Sequence, residues 1–501
     1  MPRSITASIL YNLVACPHRV TMDAFGDPTE RDPPNPFVEL LWERGMLHER
    51  EVIQGTGLPV LDLSAYRSEE KERRTQKALE EGAPLIYGGQ IRADDLLGAP
   101  DLLRREAEGY IAGDIKSRAS EEGPEERRRP KRHYGVQLAL YTDILERKGI
   151  SAGRRSFIWD INHEEVSYDF MAPYSFRQPR PLWEMYRETL AAARAILGKT
   201  EHTLPAYSPG ACNLCNWYSA CLRTLTEADD LTLIPELGRG KRDAMRAQVG
   251  RIRGFAANPI DRYMAGAKTA FPGVGRAALE KFHRRAVLIS DPCGRPYVRE
   301  PLVLPEAPVE LFFDVEVDPL RDCCYLHGFL ERRQDRSERY IAFFADEPSP
   351  QAEEKAFAEA WRYLRAIHPR VLYYYSKYER TTYRRLREKY PQVCTVEELN
   401  ALFDLRTAVD LYNDVVRTKT EWPTRDYSIK TLAKYLGFHW RDPHPSGAAS
   451  IEWYDRWIKQ REPKLKERIL AYNEDDCRAT RVLLDAIKRL PVHADLDVDG
   501  R

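Results

Sequence analysis

"GAPDLLRREAEGYIAGDIKS", residues 98–117, holds two short strand-like runs on either side of "EAEG". That arrangement predicts a β-hairpin. Asp101 falls on the first run, and Asp114 and Lys116 fall on the second. Side chains alternate along a strand, so 114 and 116 share a face. Two carboxylates and a lysine are therefore expected to converge at one end of a sheet. Carboxylate oxygens in such a group hold a hard divalent cation. A lysine beside them can orient or activate a water and steady the charge on a scissile phosphate. A D-x-K triplet alone recurs by chance in ordinary strands, so its neighbours decide the reading.

Downstream, "HYGVQLALY" reads as helix, with Gln137 and Tyr141 four apart and so on one face. Upstream, "ERGMLHERE" places His48 on a predicted helix. In this order, His48, G-x-x-Asp101, Asp114-x-Lys116 and Gln137-x-x-x-Tyr141 resemble the RecB-type branch of the PD-(D/E)xK nucleases. The resemblance covers about residues 1–225 and implies a restriction-endonuclease-like α/β domain. It implies that Asp101, Asp114 and His48 bind metal, with the Ile115 carbonyl helping. It also implies that Lys116 is catalytic and that Gln137 and Tyr141 support the site or the DNA.

The same half ends in "CNLCNWYSAC", 212–221, three cysteines with no fourth in reach. Three thiolates do not complete a tetrahedral site. In iron–sulfur members of the RecB-type branch, one cysteine precedes the nuclease core and three follow it. Here Cys16, in "LVACPHRV", precedes the core, and with Cys212, Cys215 and Cys221 it gives C…C-x2-C-x5-C. Four thiolates suit a [4Fe–4S] cluster or a Zn²⁺ ion, and unligated cysteines are the plain alternative. A bound group would pin the first helix to the end of the domain, mostly by restricting the unfolded chain. Cys293, Cys323, Cys324, Cys394 and Cys477 have no ligand spacing and read as ordinary buried thiols.

Residues 226–298 form a helical middle segment. "IPELGRGKRDAM" (234–245) and "FPGVGRAALEKF" (271–282) resemble helix-hairpin-helix turns. In that motif, glycines let backbone N–H groups at a helix start approach a DNA phosphate. Gly238, Gly240, Gly273 and Gly275 would be those glycines, with Lys241, Arg242 and Arg276 adding charge. The first copy departs from the pattern, with Glu236 where a glycine is expected. A Gly-rich helix entry can equally be an ordinary turn.

Residues 308–492 change texture to strands followed by helices. "LFFDVEV", "CCYLHGFLE", "RYIAFFAD" and "RVLYYYS" read as strands, with a helix over 351–367 before the fourth. "LFFDVEVD" puts Asp314 and Glu316 on one strand face, and "ILAYNEDDCRATRVLL" puts Tyr472 and Asp476 four apart on a helix. These two pieces resemble the first and third motifs of the DEDDy exonucleases, which have an RNase H-like mixed-sheet fold. "DYSIKTLAKYLGF" (426–438) resembles the helix those domains carry before the last motif. The resemblance implies Asp314, Glu316 and Asp476 as metal ligands, Asp475 as a nearby alternative, and Tyr472 orienting the water. Where the family has an aspartate in its second motif, "YYYSKYERTTYRRL" offers Glu379, one methylene longer.

Across its 501 residues the chain is 43% hydrophobic and 31% charged, which reads as a soluble multidomain α/β protein. It has no apolar run of the ~18 residues a membrane span needs, and its N-terminus lacks the pattern of a signal peptide. Cytoplasm is the expected compartment, with no membrane partner, and there cysteines serve as metal ligands or buried thiols. Net charge is zero, so nucleic-acid binding would rest on local patches such as "RRRPKRH", 127–133, which can also be a solvated loop. The order of parts resembles a RecB-like nuclease family fused to an RNase H-like exonuclease domain. The expected function is Mg²⁺- or Mn²⁺-dependent hydrolysis of DNA in repair, recombination or defence. A nucleic-acid-binding scaffold with a dead exonuclease site and an RNA-processing 3′–5′ exonuclease are the alternatives. No GxxxxGK[ST] segment occurs, so unwinding would come from a helicase partner, or the DNA is single-stranded or has exposed ends.

Overall fold

A computed structural model describes residues 4–57, 59–117, 120–122, 128–161, 164–175 and 178–493. Arg127 of the basic run and the terminal "ADLDVDGR" lie outside the described residues. The chain divides into two compact units, one of residues 1–206 and 210–222, the other of 207–209 and 223–501. Among the described residues no helix is long and apolar enough to cross a membrane.

In the first unit the expected hairpin forms within a mixed sheet. Its strands are β1 (Leu61–Asp62), β2 (Leu85–Tyr87), β3 (Leu102–Glu106), β4 (Gly109–Ile115), β5 (Arg155–Trp159) and β6 (Glu165–Asp169), in spatial order β6-β5-β4-β3-β2-β1. β3 and β4 are antiparallel, whereas β4 and β5 run parallel with Asp114 beside Ile158. β4 is central and buried on both faces, which is why "YIAGDI" is almost unbroken in its apolarity. Asp101 was expected on the first strand but sits in the bend just before it, because pairing begins at Leu102. Four helices matter to the site: α1 (Ala7–Ala15), α2 (Pro17–Phe25), α3 (Pro36–Gly55) and α4 (Arg132–Arg147). α3 starts where the Asn35 side chain accepts from the Phe37 N–H at 3.0 Å, with Pro36 in its first turn. α4 is buried nearly all round, from Tyr134 to Leu145, and packs on β4.

In the second unit, residues 231–289 hold their own core around Ile234, Met245, Phe255, Phe271 and Phe282. Here α5 (Gly238–Met245) and α6 (Arg276–Ser290) begin at the two glycine-bearing turns. Arg285 of α6 is buried and donates from Nε to Glu421 at 2.9 Å and from Nη1 to the Pro235 carbonyl at 2.9 Å. A five-stranded sheet follows: β7 (Val309–Asp318), β8 (Cys323–Arg333), β9 (Glu338–Phe344), β10 (Arg370–Tyr374) and β11 (Ala408–Asp410), in order β9-β8-β7-β10-β11. β7, β8 and β9 are antiparallel neighbours, and β10 and β11 run parallel to β7. β11 was not expected, since three residues are too few to show alternation. Leu311, Phe313 and Val315 face a core shared with α7 (Pro350–Ala366) and α8 (Tyr378–Lys389). Phe312 faces the other side, with Leu483 and Leu484 of α10 (Pro463–Ile487). Strand alternation therefore turns Asp314 and Glu316 toward α10 and toward the short helix α9 (Ile429–Tyr435) that packs on it. Cys323, Cys324, Cys394 and Cys477 are buried as expected. Cys293 is exposed instead, because it lies in the turn after α6, where its N–H donates to Asp291 at 2.9 Å.

Candidate active sites

The first centre forms where β4 ends. Lys116 Nζ lies 2.8 Å from Asp114 Oδ2 and 3.7 Å from Asp101 Oδ2. Asp101 Oδ2 also accepts the Ile115 N–H at 2.8 Å, so the bend before β3 is latched to the end of β4. From α4, Gln137 Nε2 donates to Asp114 Oδ2 at 2.9 Å and lies 3.3 Å from the Tyr141 hydroxyl, which reaches the Ala99 carbonyl at 3.3 Å. The four-residue spacing thus makes one polar arm that fixes Asp114. Burial, then the Asp114 charge, pushes the Asp101 carboxyl above the usual carboxylate range. Burial opposes the charge on Lys116, but Asp114 and Asp101 outweigh it and raise its pKa. Two carboxylates share one ammonium, and a donor set of this kind fits a divalent cation.

His48 is half-buried on α3, and it does not gather with Asp101 and Asp114 within a 4.8 Å span. Its neighbour Glu49 does face the centre: the Tyr87 hydroxyl donates to Glu49 Oε2 at 3.3 Å. Burial raises the Glu49 pKa, and the charges of Lys116 and Asp114 act on it in opposite senses. Glu49 was missed because adjacent helical residues point about 100° apart, so choosing His48 left it on another face. The described part of the basic run leads into α4. Arg129 pairs with Glu122 at 3.0 Å, and Arg132 donates to Gln178 at 2.6 Å.

The second centre is a tighter acidic group. The ligand oxygens of Asp314, Glu316 and Asp476 all lie within 4.8 Å of one another. Glu379, in the first turn of α8, is buried, and its Oε2 has no hydrogen-bond partner. Burial, then Asp476, Glu316 and Glu379, raises the Asp314 pKa far above the carboxylate range, and Lys430 opposes the shift. Glu379 is raised by burial and by Asp410 and Asp476. Three gathered carboxylates, with the buried Glu379 and its orphaned oxygen acting on them, fit a bound cation, which would relieve both costs. Asp475 does not join them: its carboxylate accepts the Arg441 N–H at 2.8 Å and Nε at 2.9 Å.

Sequence reading missed three residues that hold this group. Asn473 Nδ2 donates to Asp314 Oδ2 at 2.6 Å, and Trp440 Nε1 donates to Asp476 Oδ1 at 2.7 Å. Lys430 Nζ, on α9, donates to the Tyr472 hydroxyl at 2.8 Å. Asn473 was within reach, being three residues before Asp476 on the same helix face. Asn473 also explains Gly328, which pairs with Asp314 across β7 and β8. A Cβ there would sit 1.6 Å from Asn473 Oδ1.

Cys16, Cys212, Cys215 and Cys221 are all half-buried and free of disulfides. Burial raises the Cys215 pKa, and the charge of Cys16 adds to the rise. The surrounding chain is knit across the same gap. Trp217 Nε1 donates to Asp23 at 2.8 Å, the Ser219 N–H donates to Asp32 at 3.0 Å, and the Asp32 N–H meets the Asn216 carbonyl at 2.8 Å. Thiols outside any disulfide bond can serve a metal or an iron–sulfur group.

In the middle segment Gly238 and Gly273 have left-handed φ of +69° and +75°, and Gly275 caps α6 without a side-chain bond. Gly240 lies inside α5. Arg276 is exposed and pairs with Glu280 at 2.8 Å. Lys241 Nζ is turned to the Glu236 carbonyl at 3.1 Å. Arg242 does not add surface charge, because it is buried on Asp230 at 3.0 Å. Glu236, where the motif has a glycine, takes a left-handed φ of +66°. Its carboxylate receives Lys281 at 2.9 Å and Arg285 at 3.0 Å. Burial opposes that charge, but these bonds and one from Arg417 hold the pKa at about 2.

No curated protein matches the chain. Residues 18–222 match the family model of the PD-(D/E)XK nuclease superfamily, and residues 311–488 match that of the RNase H superfamily. The hairpin centre falls in the first match and the Asp314 centre in the second. The chain is a fusion of a PD-(D/E)XK nuclease superfamily domain with an RNase H superfamily domain.

Proposed function

We propose that the protein is a Mg²⁺- or Mn²⁺-dependent nuclease that hydrolyses DNA phosphodiesters at the Asp101–Asp114–Lys116 centre. The observation that carries this reading is the ammonium of Lys116 held between two carboxylates at the end of a buried strand. Asp101 and Asp114, with Glu49 or His48 from α3, would hold the cation. Those residues would hold the cation where it would supply Lewis-acid stabilisation of the phosphate and activation of a water. Lys116 keeps its proton and steadies the charge that develops on the phosphate. Gln137 and Tyr141 keep the Asp114 carboxylate in one orientation. Lys131, Arg132 and the N–H groups of the helix-hairpin-helix-like turns at Gly238 and Gly273 are suited to backbone phosphates. Cys16, Cys212, Cys215 and Cys221 would hold a [4Fe–4S] cluster as a staple, with Zn²⁺ the alternative occupant.

The second centre supports a DEDDy-type 3′–5′ exonuclease. Asp314, Glu316, Glu379 and Asp476 would hold its cations, and Tyr472, fixed by Lys430, would orient the water. Its substrate is an exposed strand end, and a partner helicase would supply such ends from duplex DNA. The test is a metal-supplemented assay of the full chain on end-labelled single- and double-stranded DNA and RNA. Asp114→Ala is expected to abolish cleavage assigned to the first centre, and Asp476→Ala is expected to abolish 3′-directed trimming alone. Digestion by Asp114→Ala at the wild-type rate would show the first assignment to be wrong.

A further inference from the structure

Trp42, Gly45, Met46 and Glu49 recur along α3 at i, i+3, i+4 and i+7, which makes one stripe on a helix. Glu49 is the end of that stripe, where it meets the first centre through the Tyr87 hydroxyl. Trp42 and Met46 face solvent, and Gly45 between them is half-buried. Trp42 is 68% exposed and Met46 is 55% exposed, while Phe37, Leu40 and Val52 form the buried face of the same helix. The core side of α3 is thus already filled, and the tryptophan is not a misplaced core residue. Gly45 adds a second, separate sign. Glycine is a poor helix former, yet a Cβ at Gly45 would meet nothing within 4 Å. No neighbour among the described residues requires a glycine there. It leaves bare backbone between an indole and a thioether, open to the close approach of a flat ligand.

We propose that this stripe is a stacking platform for a base of the substrate strand, beside the first centre. Seven residues separate Trp42 from Glu49, about 10 Å along the helix, or roughly three stacked nucleotides. The indole would then take a base two or three nucleotides from the scissile phosphate. The stripe carries no lysine or arginine. It therefore grips bases rather than phosphates, which sets it apart from the basic run leading into α4. A base must be unpaired to stack there, so the platform selects single strands and frayed ends.

This inference rests on the nuclease reading, and the test separates the two. The full chain and its variants are compared for binding of a labelled single-stranded oligonucleotide in chelator, across a salt series. Hydrolysis of bis(p-nitrophenyl) phosphate with Mn²⁺ is measured alongside, since that ester is too short to reach Trp42. Trp42→Ala is expected to weaken binding about tenfold, the scale of one lost stack, with the salt dependence unchanged and the small ester still cleaved. Trp42→Tyr is expected to retain most of the affinity and Trp42→Leu little. Wild-type affinity in Trp42→Ala or Trp42→Leu, with cleavage intact, overturns the platform and leaves the nuclease standing. A change of oligomeric state in Trp42→Ala, with DNA affinity unchanged, reassigns the stripe to a contact between copies. Absence of metal-dependent cleavage of DNA and ester alike in the wild type removes the nuclease reading and the platform with it.

Discussion

Gly328 is the smallest residue on which the second centre depends. Its lack of a side chain admits Asn473, whose Oδ1 takes the Tyr340 hydroxyl at 2.8 Å while its Nδ2 holds Asp314. Gly328→Ala is expected to force Asn473 off this bridge and to destabilise the C-terminal unit by about 1–3 kcal/mol. Thermal unfolding and 3′-trimming both report it; wild-type values for each would mean that the strand shifts at no cost. At this scale the sequence was legible wherever local spacing sets geometry. Asp114 and Lys116 are two apart on a strand, Gln137 and Tyr141 are four apart on a helix, and each pair meets as that spacing requires. Lys430, Trp440 and Glu49 were not legible. Each enters its centre from a separate element, and no local period links a residue to a partner dozens of positions away.

Among elements, the clearest electrostatic joint is Glu236 before α5. Its pKa lies well below the ordinary glutamate value of 4.5, at about 2. The stabilisation is therefore complete above about 4.5 and is lost as pH falls through about 2. Glu236→Gln is expected to lower the melting temperature at pH 7, with the difference from wild type shrinking as pH drops from 4.5 toward 2. A constant difference over that range would show that the carboxylate's charge is not what matters. The turn before α5 illustrates how far motif reading reaches. Glu236 was marked as out of place for a phosphate grip, and three cationic side chains converge on its carboxylate. The cysteine elements carry another expectation. Cys16→Ser is expected to abolish a broad absorbance near ~400 nm and to expose α1 and α2 to protease. An anaerobic preparation that is colourless and contains one zinc would decide for zinc.

For the whole molecule, the order of parts was the most legible feature. Long apolar strands and amphipathic helices announce themselves by period, and the two superfamily matches fall where those patterns change. β11 escaped notice because three residues carry no period. The fusion puts two acidic centres on one chain, each with its own carboxylates and its own fixing side chains. The central claim is that the first of them cuts through Lys116. The most direct measurement is metal-dependent cleavage of end-labelled single-stranded DNA by full-length Lys116→Ala, in a background where Asp476→Ala has silenced the second centre. Cleavage is expected to fall by about a thousandfold, as when a charge-stabilising group is removed from a buried site. A rate equal to that of Asp476→Ala alone would contradict the claim.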